Sequence, residues 1–249
     1  MALLERLKAR GNKVITTFHS MHPVGVPGHL AFRWVWEAAK QCDALIVPNR
    51  DAVRKAAECG LDPRNVHHVK HGTVIDQPMD KAAARRKLGI TSSGIVGASV
   101  GFVTPNKRLA QTVRAAKRVD GLAAYIVAGW PTAADRSGQC VAHAAEVAAE
   151  AAGDPRMLFL QRFLTDDEIR TVYSAADFAT FFYQSNILST SGAARYALTY
   201  GLPTITTDVP MLEDLRGSSL VLKASASVGE LADAIRMIVE CPCMMASLS

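Results

Sequence analysis

Two segments of the sequence bring residues suited to phosphate binding to places where a predicted strand gives way to a predicted helix. In the first, an apolar run ends at Gly101, and a short turn then leads to Lys107 at the start of a helical pattern. A lysine at that place lies beside the backbone N–H groups of a helix N-terminus, and both attract a diphosphate. A lysine that is simply solvated on the first helical turn is the alternative.

The second segment opens a helix with small hydroxyl residues and a glycine, namely Ser189, Thr190, Ser191, Gly192 and Ala193. Such residues allow the backbone to approach a ligand closely, at the positive end of the helix dipole. Ordinary capping of the helix by Ser or Thr is the alternative. Because ligands collect at the carboxyl ends of the strands in an open parallel sheet, two such helix starts favour a phosphate site.

Short apolar runs alternate with alanine-rich amphipathic stretches, which predicts an α/β fold around a parallel sheet. The predicted strands are Val14–Phe18, Ala44–Val47, Val66–Lys70, Ile95–Val103, Ala124–Ala128, Met157–Gln161, Phe178–Phe182, Thr204–Thr207 and Leu220–Leu222. The predicted helices, besides an amphipathic one at the start, are Leu30–Gln41, Arg50–Cys59, Lys107–Val119, Gln139–Ala152, Asp166–Ala175, Gly192–Tyr200 and Val228–Val239. Thr165 and Glu168 predict a capping box.

A break in this pattern between Gly72 and Ile90 divides the chain into two predicted domains, residues 1–76 and 77–249. The second has the elements of a complete Rossmann-like domain. The first has about three strands, roughly half of what a self-sufficient doubly wound domain needs. We therefore expect either that the other half lies on another chain or that the protein is shortened.

The amino-acid composition of the chain makes several classes of protein improbable, among them membrane-spanning and zinc-binding proteins. The chain has 249 residues, a net charge of +5 and five cysteines without metal-type spacing, which we expect to be reduced. The longest stretch without Asp, Glu, Lys or Arg runs from Val14 to Phe32 and contains histidines and prolines, so we expect no membrane-spanning helix. The start of the chain has no apolar leader segment, and we expect a cytoplasmic protein. The histidines lack the spacing of a zinc site, so no metal is predicted.

The basic residues fall in helical clusters, which are solvated faces by default. A second use would be peripheral contact with anionic lipid at the inner face of the membrane. Nucleic acid is not predicted as a partner, because aromatic residues make up only 6% and do not interleave with the basic clusters. The motifs of serine hydrolases, P-loop NTPases and dinucleotide oxidoreductases are absent from the sequence.

Several segments of the second predicted domain follow one another in a characteristic order. They are Gly-Phe-Val-Thr-Pro-Asn-Lys-Arg at 101–108, Phe-Leu-Thr-Asp-Asp-Glu at 163–168, Thr-Ser-Gly-Ala at 190–193, Gly-Leu-Pro at 201–203 and Thr-Asp-Val-Pro at 207–210. Their order resembles the donor-binding half of retaining GT-B glycosyltransferases of the group 1 type. In the first domain, Thr-Thr-Phe-His at 16–19 and His-Gly at 71–72 resemble family segments as well. The fold class is therefore predicted as GT-B-like, with a partial N-terminal and a complete C-terminal Rossmann-like unit.

The resemblance implies a metal-independent hexosyl-type transferase without a cofactor. Its donor would be a UDP- or GDP-linked sugar, and its acceptor a hydroxyl of a glycan, a lipid-linked molecule or a small molecule. Lys107 would contact the donor diphosphate, and the backbone of Ser191–Ala193 would hold the distal phosphate. His19 would face the interdomain cleft near the acceptor or the reacting sugar, unless it is a strand-end histidine bonded to backbone. Arg162 would stack on the nucleotide base or be solvated.

The sequence also departs from the family pattern. Phe102 stands where the family usually has an arginine, and Tyr196 and Leu188 stand where it has a pair of glutamates. Some relatives have a single glutamate at the position of Ser189. These departures support a second hypothesis, in which the chain is an inactive nucleotide-sugar binding or regulatory subunit, or a shortened remnant.

Overall fold

In a computed structural model, the chain divides into two compact units. The structure describes residues 2–19, 29–73, 75–132, 135–184 and 190–241. The first unit takes Met1–Gly72 together with a short later segment that ends at Ser191, and the second takes Thr73–Ser185 and Gly192–Ser249. The assignment of an acceptor-side domain to residues 1–76 and of a donor-binding domain to residues 77–249 stays a prediction.

The first unit is built on a small parallel sheet. Its strands lie in the order β1-β2-β3, and helices α2 and α3 supply the rest of a core that includes Trp36 and Leu45. The ring of Phe18 meets that of Trp36 edge-on, with centroids 5.4 Å apart. The elements are α1 (Ala2–Ala9), β1 (Ile15–Thr17), α2 (His29–Lys40), β2 (Ala44–Val47), α3 (Arg50–Glu58) and β3 (Val66–His68).

The second unit contains a six-stranded parallel sheet with the order β6-β5-β4-β7-β8-β9. Its four central strands are almost wholly buried, as expected for a parallel sheet with both faces covered, and its two edge strands are partly exposed. The elements are α4 (Lys81–Lys87), β4 (Ile95–Val100), α5 (Leu109–Lys117), β5 (Leu122–Gly129), α6 (Gln139–Ala151), β6 (Met157–Gln161), α7 (Asp166–Ala175), β7 (Phe178–Phe181), α8 (Gly192–Thr199), β8 (Thr204–Thr207), β9 (Ser219–Leu222) and α9 (Val228–Glu240).

Two capping boxes fix helix starts in this unit. The predicted one is confirmed: the N–H of Thr165 donates to Glu168 Oε2 at 2.8 Å, and the N–H of Glu168 donates to Thr165 Oγ1 at 3.3 Å. A second box, not predicted, joins Ser227 and Glu230 at the start of α9.

Two predicted boundaries were wrong: the end of the strand Ile95–Val103 and the start of the helix Lys107–Val119. The strand ends at Val100, because Gly101 turns the chain with a φ of +129°. Pro105–Lys107 then form a short 3₁₀ turn, and the α-helix begins only at Leu109. Lys107 therefore lies on the connecting turn and not on the first turn of α5.

Three basic side chains of α4, one of the predicted helical clusters of basic residues, pair with acids of the same unit. Lys81 Nζ lies 2.7 Å from Asp177, whose other oxygen binds Arg85, and Lys87 lies 3.9 Å from Asp167. Asp177 also accepts from the N–H of Val96 at 2.8 Å, which ties the helix to the start of β4. Within the described ranges, no helix is long and apolar enough to span a membrane.

Candidate functional site

The centre of the six-stranded sheet is the point where the strand order reverses. Strand β4 pairs with β5 on one side and with β7 on the other, so the loops after β4 and β7 leave the same edge on neighbouring strands. In open α/β sheets a ligand crevice forms at the carboxyl ends of the strands at such a switch point. Both predicted phosphate-binding segments follow these two strands.

Lys107 lies buried at this edge, with only 9% of its surface exposed. Its Nζ is 5.7 Å from the centroid of the Tyr183 ring, which follows β7. A Cβ on Gly101 would come within 2.8 Å of the same Nζ. The ammonium therefore lies between the ends of β4 and β7, where the sequence predicts a diphosphate site.

No carboxylate in the described part of the chain lies within ion-pair distance of this ammonium. Burial lowers the pKa of Lys107 from 10.5 to about 8, and the neighbouring thiol of Cys140 opposes that shift weakly. A buried cation costs free energy unless a partner compensates its charge. The uncompensated positive charge of Lys107 is therefore unfavourable in the folded protein, and an anionic ligand would compensate it.

Two glycines allow the backbone to pack closely here. A Cβ on Gly101 would lie 3.2 Å from Ala193 Cβ, which brings the first turn of α8 against the end of β4. A Cβ on Gly129 would lie 1.9 Å from the carbonyl oxygen of Gly101, so that position accepts no side chain. Gly101, Lys107 and Ala193, three of the predicted site residues, therefore come together.

A buried tyrosine fixes the start of α8 at this site. Tyr173 on α7 is 1% exposed, and its hydroxyl donates to the carbonyl oxygen of Ala193 at 2.8 Å. Its ring stacks on that of Tyr200, with centroids 5.5 Å apart. Neither Tyr173 nor Gly129 was named as a site residue, because their contacts with the site join positions far apart in the sequence.

The other predicted residues of the α8 segment are only partly described. Ser189 lies outside the described residues. Thr190 and Ser191 lead directly into α8, and Ser191 is buried. Gly192 is the first residue of the helix and is exposed. The positive end of the α8 dipole therefore starts beside Ala193 and adds to the charge of Lys107.

Arg162 follows β6 and is half exposed. Its guanidinium pairs with the carboxylate of Glu168, which also belongs to the capping box of α7. This arrangement holds the arginine at the carboxyl edge of the sheet, two strands away from β4.

His19 belongs to the first unit, just beyond the end of β1. Its ring meets that of His71 edge-on, with centroids 5.5 Å apart. His71 Nδ1 in turn lies 2.6 Å from the carbonyl oxygen of Gly72. Among the side chains that the structure describes, no three His, Cys, Asp or Glu residues are placed to hold a metal ion.

Comparisons with known proteins identify the fold. No family model matches the chain. A curated protein, the D-inositol 3-phosphate glycosyltransferase of Mycobacteroides abscessus, is 34% identical over 96 residues, which are 37% of this chain and 22% of that protein. The matched segment thus spans about a fifth of that relative.

Solved structures match nearly the whole chain at low sequence identity. HepE of Anabaena in complex with UDP and glucose gives a TM-score of 0.79 at 15% identity, over 98% of this chain and 67% of that one. Sucrose-phosphate synthase of Thermosynechococcus elongatus gives 0.78 at 18% identity, over 98% and 63%. The α,α-trehalose-phosphate synthase of Burkholderia xenovorans with glucose-6-phosphate gives 0.74 at 14% identity, over 98% and 64%. The chain has the α/β fold of the GT-B glycosyltransferases, and the predicted fold class is confirmed.

Proposed function

We propose that this chain is a glycosyltransferase that binds a nucleotide-diphosphate sugar at the carboxyl edge of its second sheet. It would transfer the sugar to a hydroxyl of a glycan, a lipid-linked molecule or a small molecule. The observation that carries the proposal is the buried Lys107 ammonium, which has no carboxylate partner in the described ranges and lies at the switch point of the sheet. The shared fold of HepE, a protein solved with UDP-glucose, supports a UDP-linked donor.

The chemistry fits the charges at this edge. Departure of the nucleotide leaves negative charge on the diphosphate, and preorganised positive charge in a buried site stabilises it. Lys107 supplies a full charge and the N-terminus of α8 supplies a partial one. Since these groups come from the protein, we propose a transfer that needs no bound metal. We propose retention of the sugar's configuration because the sequence resembles the retaining GT-B glycosyltransferases.

The first unit would supply the acceptor side of the reaction. We propose His19 as the residue of that unit that lies near the reacting sugar in the working enzyme. Its ring has one described aromatic neighbour, His71, which would hold its orientation. Contact of the protein with an anionic membrane stays a prediction, and three of the four basic residues of α4 are already paired with acids.

A second candidate function is nucleotide-sugar binding without transfer. The observation that favours it is the sequence itself, which has Tyr196 and Leu188 in place of the paired glutamates of similar transferases. Release of nucleoside diphosphate from a sugar donor in the presence of an acceptor panel would support the enzyme. Tight donor binding without any release would support the binding subunit.

The first experiment is calorimetric binding of UDP, GDP, ADP and their sugar conjugates to the wild type and to Lys107→Met. Lys117→Met is the matched control, because it removes the same charge at the far end of α5, where Lys117 Nζ donates to the carbonyl oxygen of Glu150. We expect one nucleotide to bind, Lys107→Met to weaken it at least tenfold, and the control to bind as the wild type does. Equal binding by both variants would refute the assignment of the diphosphate site to Lys107.

A further inference from the structure

Two exposed aromatic residues follow neighbouring strands at the carboxyl edge of the second sheet, beside the candidate diphosphate site. Phe102 follows β4 and is 50% exposed, and Trp130 follows β5 and is 46% exposed. Neither has a role in the fold described above, since both lie outside the buried core. Large aromatic side chains left half in water beside a ligand site are candidates for contact with that ligand.

The backbone fixes these two residues opposite each other. The N–H of Gly101 donates to the carbonyl oxygen of Ala128 at 2.9 Å, and the N–H of Val103 donates to that of Trp130 at 3.0 Å. These bonds continue the parallel ladder in which Val100 pairs with Ala128. Phe102 is therefore in register with Trp130, and neighbouring parallel strands are about 4.8 Å apart.

The pair also lies close to the buried ammonium. Gly101, whose missing Cβ would touch Lys107 Nζ, is the residue directly before Phe102. Phe102 in turn is in register with Trp130 on the neighbouring strand. The two aromatic residues and the ammonium therefore belong to the same edge of the sheet.

We propose that Trp130, with Phe102 in register with it, stacks against the base of the donor nucleotide and thereby adds to the affinity for the nucleotide. This inference rests on the proposed function, since it needs a diphosphate at Lys107. A base has two aromatic faces and is joined to the diphosphate through a ribose, so it lies beside the diphosphate and offers a flat face for stacking. Stacking on an aromatic side chain contributes enough to change affinity by about tenfold for each base.

The test compares two probes, UDP and inorganic diphosphate, by calorimetry on Trp130→Leu and Trp130→Phe. We expect Trp130→Leu to weaken UDP about tenfold and to leave inorganic diphosphate unchanged, because only UDP carries a base. Trp130→Phe keeps a ring and should retain most of the affinity. Lys107→Met should weaken both probes.

Fluorescence gives an independent reading, because Trp130 is the tryptophan of the second unit and the other two, Trp34 and Trp36, lie in the first. UDP should quench the indole emission of the wild type, and inorganic diphosphate should not. In Trp130→Phe the quenching should disappear although UDP still binds.

Three outcomes overturn the inference in distinguishable ways. If Trp130→Leu leaves UDP affinity unchanged while Lys107→Met abolishes it, the diphosphate site stands and the stacking role is wrong. If Trp130→Leu weakens both probes equally, the tryptophan acts on the fold of the site and not on the base. If the wild type binds neither probe nor any nucleotide of the panel, the proposed function fails together with the inference.

Discussion

Replacing Lys107 by methionine should make the protein more stable. The lysine is buried, and burial lowers its pKa from 10.5 to about 8. One pKa unit corresponds to about 1.4 kcal/mol, so the difference of roughly 2.5 units is worth about 3 kcal/mol against the folded state near neutral pH. Methionine keeps the apolar stem and removes the charge, so Lys107→Met should raise the free energy of unfolding by about 2–3 kcal/mol at pH 7.

The sign of the pH dependence follows from the same shift. Between pH 8 and 10.5, the unfolded chain still holds the proton that the folded chain has released. The stability of the wild type relative to Lys107→Met therefore rises over this window, and the two proteins should be nearly equal above pH 10.5. Below pH 8 the full difference should remain.

The assay is guanidinium unfolding of the wild type, Lys107→Met and the Lys117→Met control between pH 7 and 10.5. An NMR titration of the lysine side chains would give the pKa of Lys107 directly, and UDP should raise it toward its ordinary value. The reasoning is refuted if Lys107→Met is no more stable than the wild type at pH 7, or if the difference does not change with pH. Either result would mean that the ammonium is solvated or paired in solution.

Three further substitutions test the surroundings of the site. Gly101→Ala should lower the free energy of unfolding by about 1–2 kcal/mol and weaken donor binding at least tenfold, because the new Cβ displaces the ammonium. Gly89→Ala is the control, since Gly89 has a φ of +70° with open space around it. It should cause similar backbone strain and leave donor binding unchanged. Tyr173→Phe should lower the free energy of unfolding by about 1 kcal/mol and raise the donor Kd, since the carbonyl of Ala193 loses its donor; unchanged values of both would contradict this. Asp177→Asn should lower the free energy of unfolding, measured by thermal unfolding, by about 3 kcal/mol, because it breaks the ion pairs with Lys81 and Arg85 of α4. Donor binding measured by calorimetry should be unaffected.

The sequence predicted most of the elements because their signals are local. Ala44–Val47, Met157–Gln161 and Thr204–Thr207 were predicted to the residue, as was the helix Asp166–Ala175, whose capping box marks its start. Each of these strands is a short apolar or β-branched run that ends at a polar or turn residue. The periodicity of hydrophobic side chains is therefore enough to place them.

The site was predicted less completely because its contacts are not local. The pairing of β4 with β7 joins residues about eighty positions apart, and it is this pairing that brings the loop of Lys107 to α8. The predicted helix start at Lys107 was wrong because Arg108 takes a left-handed φ of +51°, which no pattern of apolar residues reveals. Its guanidinium lies 3.7 Å above the ring of Phe182, a contact that helps to offset the strain of that backbone.

The two units differ in how much apolar surface holds them together. The described core of the first unit contains three alanines among its few members, Trp36, Ala39, Leu45, Val47, Ala52, Ala56 and Leu61. That of the second unit includes Tyr125, Phe178, Phe182 and many branched residues. Apolar area sets most of the resistance to local opening, so backbone amides of β1 and β2 should exchange with solvent deuterons well before those of β4 and β5. The two units therefore differ in how well their backbone amides are protected from hydrogen exchange. The less protected unit is the first one, which contains His19.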